Sequence, residues 1–315
     1  MIPVSLVVEG QQGLSWPRWQ RLVAAVDELG FAGLYRSDHF TDPAPPDRDS
    51  LELVVSLTYA ALHTHRVRFG PLVAPVSFRD PVMLARQAAA LSDLSEGRMV
   101  LGLGAGWQER EHRMFGYELG DMDTRFSRLE EALEVTRLLL RSVGPASFEG
   151  QHYRLREAEL LPRPLRPGNP PILVGGQGPR RTLPLVARYA DIWNSTRTSP
   201  EGFRESNQRL DQLLRDAGRE PGEVRRTLFT GVFFATDDSD LDAVLRRLAG
   251  DSGASPSETL AAQRGRHMVV GTADMVLEQL AELEAAGVQE IMLRWTELDD
   301  LERLRAFSAA VTSAP

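Results

Sequence analysis

The segment ILVGGQGPRRTLPLVARYADIWN, residues 172–194, contains one complete unit of the fold. The apolar run at 172–174 indicates a buried strand, and the spacing of the apolar residues over 181–189 indicates an amphipathic helix. A second apolar run at 192–194 indicates the next strand. A strand, a helix and a strand in this order are typical of parallel pairing, so the segment predicts an α/β fold.

The same alternation continues on both sides of this segment. Two parallel architectures fit it, a closed barrel and an open doubly wound sheet. Eight strand–helix units in one chain, with no G-x-G-x-x-G directly after the first strand, favour the barrel. We predict a (β/α)8 TIM barrel that forms a single domain over residues 1–315, with insertions after strands 4 and 7. The eight expected strands lie at residues 4–8, 33–35, 67–73, 99–103, 172–174, 192–194, 227–235 and 290–293.

The alternation is interrupted once, after Gly144. Short apolar pieces at 147–148 and 152–155 predict a small hairpin, and a Pro-rich stretch follows at 161–171. Because the strand–helix alternation resumes at residue 172, we interpret residues 144–170 as an excursion inside the domain and not as a linker between two domains.

The composition excludes several classes of chemistry. The chain of 315 residues contains no cysteine, so disulfides, thiolate nucleophiles and cysteine-bound metals are excluded. All 36 of its basic side chains are arginines, so a Schiff-base lysine is also excluded. A net charge of −8 argues against binding to nucleic acid or to an anionic membrane. With no signal segment or membrane span in the sequence, we expect a cytoplasmic protein.

The active site of a barrel of this type lies in the loops that follow the strands. Asp38 and His39 follow the second expected strand and place a carboxylate and an imidazole at the barrel mouth. Such a pair is suited to orienting a ring and to moving a proton, so His39 is our candidate catalytic residue. The alternative is that Asp38 caps a turn and His39 packs under the next loop.

The third and fourth strands are followed by apolar and small residues. Leu72, Val73 and Ala74 supply an apolar stretch that could back an aromatic cofactor, or could be an ordinary strand end. Small residues after the fourth strand allow a ligand to approach the backbone, although glycine also serves tight packing. That group and the aromatic residue beside it are Gly104, Ala105, Gly106 and Trp107.

A glycine-rich turn follows the fifth strand and runs directly into a helix. Exposed amides at a helix N-terminus form a cradle for phosphate, although the same pattern suits a simple turn. Ser195 and Thr196, after the sixth strand, add hydroxyl groups near this place. The turn consists of Gly175, Gly176, Gln177 and Gly178.

We expect no metal site. Glu109, Glu111 and His112 carry suitable atoms, but they follow one another too closely for the H-x-x-x-H geometry.

In these motifs the chain resembles the luciferase-like monooxygenase superfamily, and especially its branch of coenzyme F420-dependent oxidoreductases. The resemblance extends in order over nearly the whole chain. It is carried by the segments at 37–40, 75–81, 94–98, 102–112, 125–131, 170–176 and 270–272.

The resemblance implies a TIM barrel, commonly a homodimer, that binds F420 or FMN without a covalent bond. It implies a non-prolyl cis peptide in the third strand, near Leu72 and Val73, that backs the cofactor ring. Asp38 would contact the edge of the ring, and His39 would lie near the face of hydride transfer. The residues after the fourth strand would line the ring, and the glycine-rich turn with Thr196 would hold the phosphate.

Two departures from the branch bear on the substrate. Its sugar-phosphate dehydrogenases have a catalytic glutamate where this chain has Trp107, and they use lysines around phosphates, which this chain lacks. We therefore expect hydride transfer between F420 and a small organic substrate other than glucose 6-phosphate. The alternatives are an FMN-dependent monooxygenase, a non-catalytic barrel that binds a phosphate-bearing ligand, and a phosphosugar isomerase without a redox cofactor.

Overall fold

The computed structural model describes residues 2–166 and 168–312, and a barrel of parallel strands lies at its centre. One sheet contains ten strands, and two further strands form a separate hairpin. In chain order the strands are β1 (Val4–Val8), β2 (Gly33–Arg36), β3 (Arg68–Pro71), β4 (Ala74–Pro75), β5 (Leu101–Gly104), β6 (Ala146–Glu149), β7 (Arg154–Ala158), β8 (Ile172–Gly175), β9 (Ile192–Thr196), β10 (Arg225–Phe234), β11 (Val269–Gly271) and β12 (Glu290–Arg294).

The helices lie between the strands in the chain. None of the helices within the described residues is both long enough and apolar enough to cross a bilayer. They are α1 (Trp16–Glu28), α2 (Leu53–His63), α3 (Pro81–Leu94), α4 (Glu109–Phe115), α5 (Met122–Arg141), α6 (Thr182–Tyr189), α7 (Pro200–Asp216), α8 (Asp238–Ala249), α9 (Pro256–Gly265), α10 (Ala273–Ala285) and α11 (Leu301–Val311).

The pairing of the strands closes the barrel. Neighbouring strands follow the order β3-β2-β1-β12-β10-β9-β8-β5-β4, and β11 is attached to β10. The two ends of this path meet because Phe69 of β3 forms a parallel bridge with Met99, just before β5. Since β3 and β4 are two halves of one strand, the barrel has eight strands. The prediction of a closed (β/α)8 barrel is confirmed.

The third strand of the barrel is divided, whereas the sequence predicted one run over 67–73. Its first half, β3, pairs with β2, and its second half, β4, pairs with β5. The peptide bond between Leu72 and Val73, which lies between the halves, is cis, as the resemblance implied. The barrel therefore presents these two residues at its mouth outside the regular ladder.

Both insertions lie where the sequence predicted them. The hairpin β6–β7 follows the helix after the fourth barrel strand and is antiparallel. Its second strand begins at Arg154, two residues later than expected, and extends to Ala158. After β10, the seventh barrel strand, α8 and α9 precede β11.

The barrel interior below the mouth contains an apolar cluster. Side chains from six of the eight barrel strands form one buried cluster, against which Leu72, Val73 and Phe229 pack. The cluster consists of Val7, Tyr35, Val100, Leu173, Ile192 and Met292.

At the opposite, N-terminal end of the strands the interior holds a charged cluster. The carboxylate of Glu290, only 1% exposed, accepts a hydrogen bond from the Ser5 hydroxyl at 2.5 Å. It also forms ion pairs with Arg68 at 2.8 Å and with Arg225 at 3.2 Å. These partners from three other strands offset the cost of burying the carboxylate of Glu290. We call the cluster of Glu290, Ser5, Arg68 and Arg225 the plug at the barrel floor.

Candidate functional site

A cavity of about 610 Å³ opens at the C-terminal ends of the barrel strands. Each of the eight barrel strands, or the loop that follows it, contributes to its lining. The lining residues are Glu9, Gln11, Gln12, Ser37, His39, Asp42, Pro43, Leu72, Val73, Trp107, Gly175, Gly176, Asn194, Thr196, Arg197, Phe229 and Arg294. Eight of the fifteen site residues that the sequence predicted are therefore absent from the lining, as described below.

One side of the cavity is an apolar wall formed by Leu72 and Val73. The Val73 side chain reaches over β5, where a Cβ atom on Gly104 would lie 2.4 Å from its Cγ2 atom. A side chain at position 104 would therefore displace Val73 from the wall. Ala74 does not reach the cavity, because it is completely buried in β4 opposite Leu103.

His39 faces the cavity and is held from behind by a buried carboxylate. Its Nδ1 lies 2.9 Å from Oε1 of Glu111, and the other oxygen of Glu111 accepts the amide N–H of Phe40 at 3.0 Å. Glu111 is 1% exposed and belongs to α4, so its helix fixes the His39 loop at two points. Because a carboxylate only accepts hydrogen bonds, Nδ1 carries a proton and Nε2 is the nitrogen left for a ligand.

The environment of His39 favours its charged form. Burial alone lowers the pKa of His39, but the hydrogen bond and the charge of Glu111 act in the opposite direction. The net result is a raised pKa. Trp107 packs edge-on against the imidazole, with 5.5 Å between the ring centroids, and is itself 58% exposed at the mouth.

Glu111 and His112 point to different partners. His112 lies 2.8 Å from the carbonyl of Gln108 through Nδ1 and 2.7 Å from the hydroxyl of Ser77 through Nε2. Both of its ring nitrogens are thus engaged away from Glu111. From the sequence these residues were considered as metal ligands, and the function of Glu111 as the partner of His39 was missed.

Asp38 is turned away from the cavity. Both of its oxygens are bound by Arg79, with Nε at 2.8 Å and Nη2 at 2.9 Å, and its side chain is 3% exposed. The contact between Asp38 and a cofactor ring stays a prediction that this geometry does not support directly. Arg79 also pairs with Glu52 at 2.8 Å, so Asp38 ties the second strand's loop to the neighbouring helices.

The small residues after β5 support the mouth more than they line it. Gly106 has a positive φ of 76°, and a Cβ there would lie 2.5 Å from the hydroxyl oxygen of Ser77. Its carbonyl accepts a hydrogen bond from Arg125 at 3.3 Å. Gly104, Ala105 and Gly106 lie beneath or beside the cavity, and only Trp107 of this group lines it.

The glycine-rich turn after β8 is divided in the same way. Gly175 and Gly176 line the cavity, whereas the carbonyl of Gly178 accepts the first two amides of α6, from Thr182 and Leu183. Those helix amides are therefore already used. The backbone of the two lining glycines is the part of the predicted phosphate cradle that faces the cavity.

The two hydroxyl residues after β9 also separate. Ser195 is completely buried and donates to Oε1 of Gln177 at 3.0 Å, so both residues hold the turn in place. Thr196 lines the cavity together with Arg197, which the sequence did not single out.

Charged lining residues at the first and last barrel strands were missed as well. Arg294 is the last residue of β12, and Glu9 follows β1 directly. Each stands at a strand exit, so the rule that found His39 applied to the first and last strands would have found them. Glu9 accepts a hydrogen bond from Gln11 at 3.1 Å, and Gln11 accepts one from Ser37 at 2.8 Å.

Comparison with known proteins agrees with this architecture. A curated F420-dependent glucose-6-phosphate dehydrogenase of Kineococcus radiotolerans is 31% identical over 216 residues, which cover 67% of this chain and 62% of the relative. A phthiodiolone/phenolphthiodiolone dimycocerosates ketoreductase of Mycobacterium kansasii is 33% identical over 57% of this chain and 48% of the relative. The matched segments thus span less than two thirds of these relatives.

Solved structures share the fold at lower identity. An F420-dependent secondary alcohol dehydrogenase in complex with an F420-acetone adduct superposes with a TM-score of 0.83 at 18% identity, over 100% of this chain and 99% of the other. The FMN complex of a type II Baeyer-Villiger monooxygenase component from Pseudomonas putida superposes with a TM-score of 0.76 at 19% identity, over 100% and 98%. The family model described as luciferase-like monooxygenase matches residues 3–290. The chain therefore belongs to the luciferase-like monooxygenase family.

Proposed function

We propose that this protein is an F420-dependent oxidoreductase that interconverts a small carbonyl compound and the corresponding alcohol. The observation that carries the proposal is the His39–Glu111 pair, which directs a nitrogen able to transfer a proton into a cavity backed by an apolar wall. Dehydrogenases and a ketoreductase among the matched relatives, two of them named as F420-dependent, support the same chemistry.

The cavity fits a flat cofactor with a phosphate-bearing tail. Leu72 and Val73 would back the ring, and Gly104 leaves the space that Val73 needs to do so. The lining glycines of the turn after β8, with Thr196, would hold the tail, and Arg197 would supply the charge that no lysine provides. When bound, F420 supplies or accepts a hydride; the protein mainly positions it.

His39 performs the proton transfer in this scheme. With Nδ1–H directed to Glu111, protonated His39 donates from Nε2 to the oxygen of a carbonyl substrate, and neutral His39 takes the proton from an alcohol. Trp107 stands where the sugar-phosphate dehydrogenases of the branch have a glutamate, and it supplies no acid. This scheme places His39 as the titratable group at the reacting oxygen.

Replacing Glu111 by glutamine should move the pH profile of the enzyme. Loss of the carboxylate charge lowers the pKa of His39, because that charge raises it in the native protein. Carbonyl reduction needs protonated His39 and is lost as the pH rises through its pKa, so in Glu111→Gln this loss should occur at lower pH. Alcohol oxidation should correspondingly begin at lower pH.

The measurement is kcat/KM in both directions as a function of pH. The control is Glu109→Gln, the same change at an exposed position on the same helix. It should leave the pH dependence of kcat/KM unchanged in both directions. If both variants have the wild-type profile, Glu111 does not set the protonation of His39.

The second candidate is an FMN-dependent monooxygenase, because FMN enzymes share the fold. Titration of the purified protein with F420 and with FMN, followed by fluorescence, separates the two. Tighter binding of F420 supports the proposal, and tighter binding of FMN supports the monooxygenase. Binding of neither would reject both and would leave the non-catalytic barrel or the isomerase.

We also propose that the protein is a homodimer. Apolar side chains lie exposed on two adjacent helices, with Val55 and Leu62 on α2 and Met83 and Leu94 on α3, each more than half exposed. A second copy would cover them. Sedimentation equilibrium should give twice the chain mass of 35.0 kDa, and Leu62→Glu should reduce it; a monomeric wild type would contradict the proposal.

A further inference from the structure

The two sides of the cavity mouth offer different groups. Going around the barrel from β3 to β9, the lining consists of the apolar wall, Trp107, the lining glycines, Asn194, Thr196 and Arg197, and this is the side expected to hold the cofactor. The remaining arc, from β10 through β12 and β1 to β2, contributes the rest of the lining, namely Phe229, Arg294, Glu9, Gln11, Gln12, Ser37, His39, Asp42 and Pro43. This arc lies across the barrel from the cofactor side, so the substrate has to contact it.

Arg294 places an unpartnered guanidinium on this arc. Its Nε is buried and has no hydrogen-bond partner, and its guanidinium takes part in no ion pair or hydrogen bond with the residues that the structure describes. By contrast, the more deeply buried Arg36 donates to three backbone carbonyls and to the hydroxyl of Ser56. Nε is enclosed by the protein, whereas the two Nη groups are not, so the Nη groups are the free donors that a ligand acceptor in the cavity can reach.

The charge of Arg294 is not neutralised by direct contact. Burial lowers the pKa of Arg294. The negative charge of Glu9 raises this pKa and the positive charge of Arg197 lowers it further, and the net result is a lowered pKa. The carboxylate of Glu9 is engaged by Gln11 at 3.1 Å. Since a guanidinium stays protonated, the arc carries a fixed positive charge that an anionic ligand would stabilise.

We propose that Arg294 binds a carboxylate of the substrate, so that the enzyme acts on carbonyl compounds and alcohols that are also acids. The planar guanidinium matches a carboxylate with two parallel hydrogen bonds. The apolar ring of Phe229 lies on the same arc and would contact the carbon chain. Arg197 follows Thr196 directly on the cofactor side and is assigned to the anionic tail of the cofactor.

This inference rests on the proposed function and adds the substrate class to it. In the reductive direction the carbonyl carbon would gain the hydride that reduced F420 supplies when bound, the C=O π bond would break, and a proton from His39 Nε2 would form the O–H bond. The carbonyl carbon would be reduced by two electrons from bound F420, and the carboxylate on Arg294 would be unchanged. Its role is to hold the reacting carbon between the cofactor and His39.

The test compares acids with their uncharged esters. The probes are 2-oxobutanoate, 3-oxobutanoate and 4-oxopentanoate, each with its methyl ester, titrated calorimetrically into the F420-bound protein and assayed with reduced F420. At least one acid should bind more tightly than its ester. Arg294→Met should weaken binding of that acid by about 10- to 100-fold, because this is the effect of losing a charge-assisted hydrogen bond. Binding of the ester should be unaffected.

Two further variants make the assignment specific. Arg294→Lys should retain part of the preference for the acid, because lysine keeps the positive charge but lacks the planar guanidinium with its two parallel donors. Arg197→Met, the matched control, should weaken F420 binding and leave the preference for the acid intact.

The inference is overturned if no acid binds more tightly than its ester in the wild type, or if the preference survives in Arg294→Met. It is also overturned if Arg294→Met weakens F420 binding instead, because the residue then belongs to the cofactor site. Failure of the proposed function is distinguishable: the wild-type protein would then not bind F420 at all.

Discussion

Replacement of His39 by alanine is expected to lower kcat by about 10²- to 10⁴-fold, the range that positioned general acids and bases contribute. The expectation follows from the geometry at the mouth, where Nδ1 is held by Glu111 at 2.9 Å and Nε2 is left for the reacting oxygen. The dissociation constant of F420 should remain close to that of the wild type, because the apolar wall and the lining glycines are untouched. Stopped-flow absorbance of F420 reports both quantities.

The matched control for this variant is His63→Ala. His63 belongs to α2, is exposed and stacks on Tyr59 with 3.8 Å between ring centroids, outside the cavity. The kcat of His63→Ala should equal that of the wild type. If His39→Ala retains full turnover, His39 has no part in the chemistry, and if it loses only F420 affinity, its function is to bind the cofactor.

Replacement of Glu290 by alanine is expected to reduce the free energy of unfolding by about 3 kcal/mol, the lower end of the range for breaking a buried ion pair. Removing the carboxylate leaves the guanidiniums of Arg68 and Arg225 facing one another without an anion, and Ser5 without its acceptor. The lower end applies because the side chains of the two arginines are 29% and 32% exposed, so water partly solvates the remaining charges.

Urea unfolding followed by circular dichroism measures this effect as a shift of the midpoint at constant slope. Glu149→Ala is the control, because Glu149 pairs with Arg154 on the surface at 75% and 55% side-chain exposure, and such pairs contribute little. Equal midpoints for Glu290→Ala and the wild type would show that the plug at the barrel floor does not stabilise the fold.

Local sequence patterns were sufficient for most elements and failed at short or divided ones. The eight barrel strands and the hairpin lie where apolar runs predicted them. The third strand was predicted as continuous, because nothing local to Leu72 and Val73 marks the break. The short helix α4 was not predicted, since only seven residues separate Gln108 from the left-handed Gly116.

Two elements of the second insertion were missed although one of them carried a signal. The helix α9 begins with a capping box between Ser255 and Glu258 and with a proline in its first turn. Both features mark the N-terminus of a helix in a sequence. The strand β11 has only three residues, and its assignment depends on pairing with β10. Such a short run does not differ from a loop until its partner is known.

The sequence by itself determined the alternation of strands and helices, the barrel class and the residue types at each strand exit. Only the tertiary structure decided which of those residues face the cavity and which are held by another side chain. His39 and Glu111 are 72 positions apart, and Asp38 and Arg79 are 41 apart, so both pairings exist only once the barrel has closed. The physical reason is that a side chain's partner is set by the register of distant strands and the packing of the helices between them. Adjacent residues such as Asp38 and His39 can therefore point to opposite sides of the same loop.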